Sequence, residues 1–324
     1  MIARSVFLTF AISGFMAMAQ AAPSAPSPKA PIVPVTDVDM PVTMQASCPA
    51  QVKQGGLVVC TGPAGASVYK NAELVTHMDA SGIAAIGIET SEPEGLRISI
   101  DSDAGAMRDF DIQVEPRTDE IRYLSGLDCD KVDARTEDQK AHAARSWETK
   151  AAGFARYEAP TVDAIYFAKP ASGPFSSPFG PKRHYSGTSK ATGASCTKVS
   201  VHRGLDMAVA TGTDLLAPLG GTITLADPDL YYEGGAIFLD HGWGLISVFM
   251  HLSAVDVEPG QTVKTGERLG ATGNTGRTTG PHLHWAVKWR PTEKSAGDGF
   301  YIDPAILLTL EEVRADGDEQ DTTD

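Results

Sequence analysis

His202-Arg203-Gly204-Leu205-Asp206 and Gly280-Pro281-His282-Leu283-His284 enclose the stretch that decides how this chain reads. Between them stands Phe249-Met250-His251-Leu252-Ser253. Four of the chain's eight histidines belong to these motifs, together with one aspartate. In His282-Leu283-His284-Trp285-Ala286-Val287 the pattern predicts a strand, where side chains repeat with period two. His282 and His284 then share one face and Leu283 takes the other. His202 and Asp206 share a side if their segment is extended, and Gly204 between them is expected to let the backbone bend.

Residues 205 to 290 read as short strands with frequent glycine turns, which suits an antiparallel, partly closed β architecture with ligands on facing strands. Thr278-Thr279-Gly280-Pro281 reads as a tight turn that sets the register of His282 and His284. A slip of one residue there would turn both imidazoles away. A catalytic zinc site takes three nitrogen or oxygen ligands and keeps a fourth position open. Two of the histidines with Asp206 would meet that need and leave two imidazoles for proton transfer and oxyanion stabilisation.

The ordered motifs resemble the M23 (lysostaphin/LytM-like) family of zinc metallopeptidases that cut peptidoglycan peptides. The likeness runs through His202-x-Gly204-x-Asp206, Ala217-Pro218-Leu219-Gly220-Gly221, Leu239-Asp240-His241-Gly242, His251-Leu252-Ser253 and Gly280-Pro281-His282-Leu283-His284. It implies that His202, Asp206 and His284 ligate one Zn2+ per chain, and that His251 and His282 are the catalytic pair. It also implies a peptidoglycan peptide as substrate, cut by a zinc-dependent endopeptidase. Phe175-Ser176-Ser177-Pro178-Phe179-Gly180-Pro181-Lys182-Arg183 resembles the strand that opens the family's domain. Residues 184–201 form a longer loop than compact members have, expected to line one wall of the groove. A latent or non-catalytic regulator of another wall hydrolase is the alternative, in which an upstream cover from His184, Asp163 or the connector would close the metal. His241 matches a hairpin turn and is left out of the site.

Outward from this stretch, residues 1–21 read as a signal peptide, with Arg4, a short apolar core and small residues at the cleavage point. That predicts export with no stable membrane span after cleavage, and the resemblance to a periplasmic subgroup of the family implies the periplasm as destination. Residues 22–43 form a Pro/Ala-rich linker. Residues 44–115 alternate in short segments such as Leu57-Val58-Val59-Cys60 and Leu96-Arg97-Ile98-Ser99-Ile100, which predicts a small β-sandwich-like domain. Residues 116–160 form a connector whose Thr136-Glu137-Asp138-Gln139 is a capping box. A helix is expected to run to about Lys150, with Ala141, Ala144, Trp147 and Ala151 as its packed face. The peptidase-like domain covers 161–314, and 315–324 is an acidic tail. The fold class is thus mainly β, with a sandwich-like domain, a helical connector and an antiparallel β domain.

Composition narrows the partners. A formal net charge of -14 argues against a nucleic-acid partner, for which a basic face would be expected. Four cysteines in an exported chain favour disulfides. Of the three pairings, Cys48–Cys60 with Cys129–Cys196 is preferred, because Cys48 and Cys60 flank Gly55-Gly56 on neighbouring strands. No His-Glu-x-x-His helix or Gly-x-Ser-x-Gly elbow offers another hydrolytic chemistry.

Overall fold

The computed structural model describes residues 45–102, 106–129, 133–190, 193–292 and 299–314. The signal-peptide, linker and tail readings fall outside them. The chain begins with strands β1 (Gln51–Lys53), β2 (Leu57–Thr61), β3 (Ser67–Lys70), β4 (Glu73–His77), β5 (Ile83–Gly87), β6 (Gly95–Ser102) and β7 (Ala106–Glu115). They form a five-stranded sheet in the order β1-β7-β6-β3-β4 and an antiparallel β2–β5 pair. Period-two alternation sends Leu96, Ile98 and Ile100 of β6 inward with Ile112 and Val114 of β7. Each such side chain contributes about 1.5–3 kcal/mol by leaving water. Cys48 and Cys60 are bonded, as preferred from the sequence.

The connector holds two elements. Strand β8 (Ile121–Asp128) was not foreseen, and helix α1 (Glu137–Ala155) runs five residues past the expected end. Thr136 Oγ1 accepts the Gln139 N–H and the Gln139 side chain accepts the Thr136 N–H, so the capping box is in place. The packed face differs from expectation. Trp147 is 70% exposed, whereas Ser146 and Gly153 are buried. The reason is the surface that α1 meets. His142 Nε2–H donates to the Asp229 carbonyl at 2.7 Å, and Ser146 Oγ accepts the Tyr231 N–H at 3.0 Å. A Cβ on Gly153 would stand 3.0 Å from the Leu225 Cβ. The face against the sheet therefore joins small and polar residues to Phe154, and a regular apolar stripe does not mark it.

Next come β9 (Ala164–Ile165), β10 (Phe175–Ser177), β11 (Lys182–Thr188), β12 (Ser195–Val201), β13 (Leu205–Met207) and β14 (Asp214–Leu216). The stretch expected as a loop before His202 is instead the β11–β12 hairpin, antiparallel from Lys182↔Val201 to Thr188↔Ser195. Strand β8 runs parallel to β11 on its other side, giving a three-stranded sheet. Cys129–Cys196 ties the end of β8 to β12.

The last strands are β15 (Gly221–Leu230), β16 (Gly234–Gly242), β17 (Leu245–Leu252), β18 (Ala254–Val255), β19 (Thr262–Val263), β20 (Arg268–Ala271), β21 (Leu283–Trp289) and β22 (Phe300–Ile302), then α2 (Pro304–Leu307) and β23 (Val313–Arg314). An eight-stranded sheet runs β10-β13-β21-β17-β16-β15-β19, with β22 also on β21. Leu283, Trp285 and Val287 of β21 join the large apolar cluster, while Ala286 joins a second cluster with Phe238, Ile246 and Val248. The sheet thus has two dry faces, and α1 covers part of the second through Phe154. The large cluster continues into the N-terminal strands. Trp289 Nε1–H donates to the Ala85 carbonyl at 2.9 Å, and Gly87 leaves room for the indole, since a Cβ there would lie 2.7 Å from it. Among the described residues, no helix is long and apolar enough to cross a membrane.

Candidate metal centre

Asp206 on β13 lies directly opposite His284 on β21, so one rung of the ladder supplies two of the expected ligands. His202 precedes β13 and is fixed by its N–H on the Pro181 carbonyl at 3.0 Å. Gly204 sits at a bend of the backbone, as expected, and also provides clearance. A Cβ there would meet His284 Nε2 at 2.5 Å.

The donor atoms converge. His202 Nε2 is 3.0 Å from Asp206 Oδ1, His284 Nδ1 is 2.8 Å from the same oxygen, and the two nitrogens are 3.2 Å apart. His202 Nδ1–H is spent on the Pro178 carbonyl at 2.6 Å, which leaves its Nε2 as a lone pair. A lone pair then faces a carboxylate oxygen, both acceptors. A single proton on His284 cannot satisfy all three atoms, whereas a divalent cation can. His202, Asp206 and His284 form one metal-binding cluster, and two imidazoles with a carboxylate suit Zn2+. Among the described residues no fourth ligating side chain joins them.

Burial alone would raise the Asp206 carboxyl, but hydrogen bonds and charge from His202 and His284 outweigh it and hold the group far below the usual range. Burial depresses His284, opposed by Asp206. The other Asp206 oxygen accepts from Arg183 Nη2 at 3.1 Å, and the same Arg183 nitrogen donates to Ser177 Oγ at 2.8 Å. Arg183 fixes the carboxylate rotamer, a role the sequence motif contained without revealing.

His251 and His282 face the same space, with ring centroids 4.8 Å apart. His282 Nδ1–H donates to the Gly280 carbonyl at 2.8 Å, and its Nε2 is 3.9 Å from Asp206 Oδ1. His251 Nδ1–H donates to the Thr275 carbonyl at 2.9 Å. Both rings therefore turn Nε2 toward the cluster. Burial, reinforced by the charges of His284 and His282, pushes His251 down to about 3.

His251 reaches the site by a local break in β17. Strand β16 pairs Ile237 with Phe249 but Gly235 with Leu252, so β17 carries one extra residue there. Met250 pairs with His284 and lines the groove, so strict alternation would send His251 into the opposite, apolar face. The bulge, with His251 at φ +66°, turns the imidazole back. Its N–H is held by the Glu233 carbonyl at 2.8 Å. Sequence periodicity carries no signal for this.

The remaining candidates lie elsewhere. His184 stacks on Tyr123 at 5.0 Å and does not join the cluster, and Asp163 lies near Arg314. His241 is buried between the Gly220 carbonyl and Ser247 Oγ, a structural role. The cluster opens into a groove of about 1260 Å³ whose wall comes from β8, the β11–β12 hairpin and the 274–281 turn. Arg203 rests over the Tyr301 ring at 5.7 Å, and Arg277 over Tyr232 at 4.9 Å.

Residues 200–304 match peptidase family M23. The match to that family is confined to this part of the chain. A crystal structure from Pseudomonas aeruginosa assigned to peptidase M23 aligns with a TM-score of 0.53 and 28% identity, covering 79% of this chain and 94% of that one. An uncharacterized metalloprotease of Haemophilus influenzae is 39% identical over 43% of this chain and 25% of its own length. The peptidoglycan DD-endopeptidase ShyA of Vibrio cholerae is 38% identical over 29% of this chain and 22% of its own length. The matched region thus spans about a quarter of these curated relatives. All five residues singled out from the sequence lie within the matched residues 200–304.

Proposed function

We propose that the chain is a zinc-dependent endopeptidase that hydrolyses the peptide crosslinks of peptidoglycan. The observation that carries this is the set of three convergent ligands with two further imidazoles turned onto the same space. A structural site would be closed by a fourth protein ligand, and none joins it among the described residues. When bound, zinc would supply Lewis acidity and make water acidic enough to attack near neutral pH.

The residues do the rest. His202, Asp206 and His284 hold the ion, and Arg183 keeps the carboxylate in place. His282, whose side chain is 19% exposed, reaches the groove and accepts the proton of the attacking water. His251 stabilises the oxyanion or returns a proton to the leaving amine. The Nδ1–H bonds to Gly280 and Thr275 hold both rings in the tautomer that offers Nε2. ShyA, a DD-endopeptidase by name, supports a stem-peptide crosslink as the bond cut. Export, read from residues 1–21, to the periplasm, as the family resemblance implies, would put the enzyme beside its substrate, with another wall hydrolase as a regulatory partner.

The test is digestion of purified crosslinked peptidoglycan by the zinc-loaded protein, with products identified by mass. Loss of crosslinked dimers with new free amines, blocked by a chelator, is expected. A folded, zinc-loaded chain that leaves every dimer intact sinks the endopeptidase and favours the regulator.

A further inference from the structure

The chain is strongly acidic, at -14, yet its groove is not. Six cationic side chains line it, Arg122, Arg183, Lys190, Lys198, Arg203 and Arg277, against the carboxylates of Asp206 and Glu233. Asp206 belongs to the metal cluster, and Glu233 is paired with Lys150 of α1. Of the cations, Arg183 is engaged by Asp206, Arg122 by Glu120 and Lys198 by Asp133. Arg203 differs. Among the described residues its recorded contact is the Tyr301 ring, with no carboxylate beside it.

An arginine braced on an aromatic ring keeps its planar fork of N–H donors in a fixed orientation. Burial pushes the Tyr301 phenol up to about 12, so the platform stays uncharged. Arg277 sits on a second tyrosine, with its N–H on the Tyr232 carbonyl at 2.8 Å. Arg203 also follows the ligand His202 directly in sequence, and its side chain lines the same groove as the metal cluster. Local cations in a concave site focus anions even when the whole molecule is negative.

We propose that Arg203, braced on Tyr301, recognises a substrate carboxylate, so that the groove selects peptides with a free carboxylate next to the scissile bond. This rests on the endopeptidase reading above. A crossbridge of neutral residues offers the fork no partner, whereas an acidic stem peptide offers a bidentate one.

The experiment compares one crosslinked stem peptide in two forms, with carboxylates free and amidated. Cleavage by zinc-loaded wild type, Arg203→Gln and Arg203→Lys gives kcat/KM, and calorimetry with the uncrosslinked stem gives binding. Wild type is expected to favour the free acid by roughly tenfold or more, the scale of a charge-assisted bidentate contact. Arg203→Gln should bring the ratio near one by losing the acid form alone, with zinc content unchanged, and Arg203→Lys should fall between. A ratio that Arg203→Gln leaves unaltered, or an equal loss on both forms, overturns the proposal. Absence of cleavage with an acid preference in binding that Arg203→Gln abolishes would uphold the subsite and remove the endopeptidase reading.

Discussion

Two groups of histidine, aspartate and arginine sit on the eight-stranded sheet, and they are built in opposite ways. In one, Asp240, His241 and Arg290 are fully buried, and nearly every polar atom meets a protein partner. Arg290 donates to Asp240 at 2.6 Å and to the carbonyls of Phe154 and Arg156, with its guanidinium over Tyr157. His241 Nδ1–H donates to Gly220, and Ser247 donates to its Nε2 while accepting the Trp285 N–H. In the other, around Asp206, acceptors point at acceptors. The same residue types serve structure where their hydrogen bonds close, and a cation where they do not.

Breaking the open group should show the largest effect. Asp206→Ala is expected to lose zinc retention and cleavage together, read by metal content and by the peptidoglycan digest. His282→Ala should keep full zinc stoichiometry yet lower kcat by about 10²–10⁴. Unchanged turnover would remove His282 from the proton path.

The closed group should answer in stability instead. Arg290→Met strands a buried carboxylate, and loss of one partner of such a pair costs about 3–5 kcal/mol, measurable by urea unfolding. Burial already raises Asp240 against the pull of Arg290, so Asp240→Asn added to Arg290→Met should recover part of the loss. His241 gives the smallest effect. Burial lowers it from 6.5 to about 4, so the folded state holds it neutral while the unfolded chain takes up a proton. Stability should therefore fall as pH drops from 6.5 toward 4, by about 3 kcal/mol in all. In metal-free protein, His241→Gln should flatten that part of the profile. An unchanged slope would place the acid sensitivity elsewhere.

The ligands were legible because their chemistry is rare and their spacing is local. His284 lies on β21 and His282 immediately before it, two positions apart, and His-x-Gly-x-Asp lies within one short segment. What escaped the reading depends on partners distant in sequence. Strand β8 is defined by pairing with β11, and both by the hairpin with β12. The packed face of α1 was misjudged because it meets backbone groups of β15 and its following turn, where Ser146 and Gly153 fit and Trp147 does not. The Cys48–Cys60 bond, by contrast, is local and spans the Gly55-Gly56 turn that marks it in the sequence, which leaves Cys129 to Cys196.

The extra residue in β17 means that this site is written in numbers of residues as well as in their kinds. Were the ladder regular beyond the groove-facing Met250, His251 would turn into the apolar face and the site would lose its imidazole. Length variation, harmless in surface loops, is thus closed to the few positions before Leu252. The strand tolerates exchange of letters more readily than loss of a syllable.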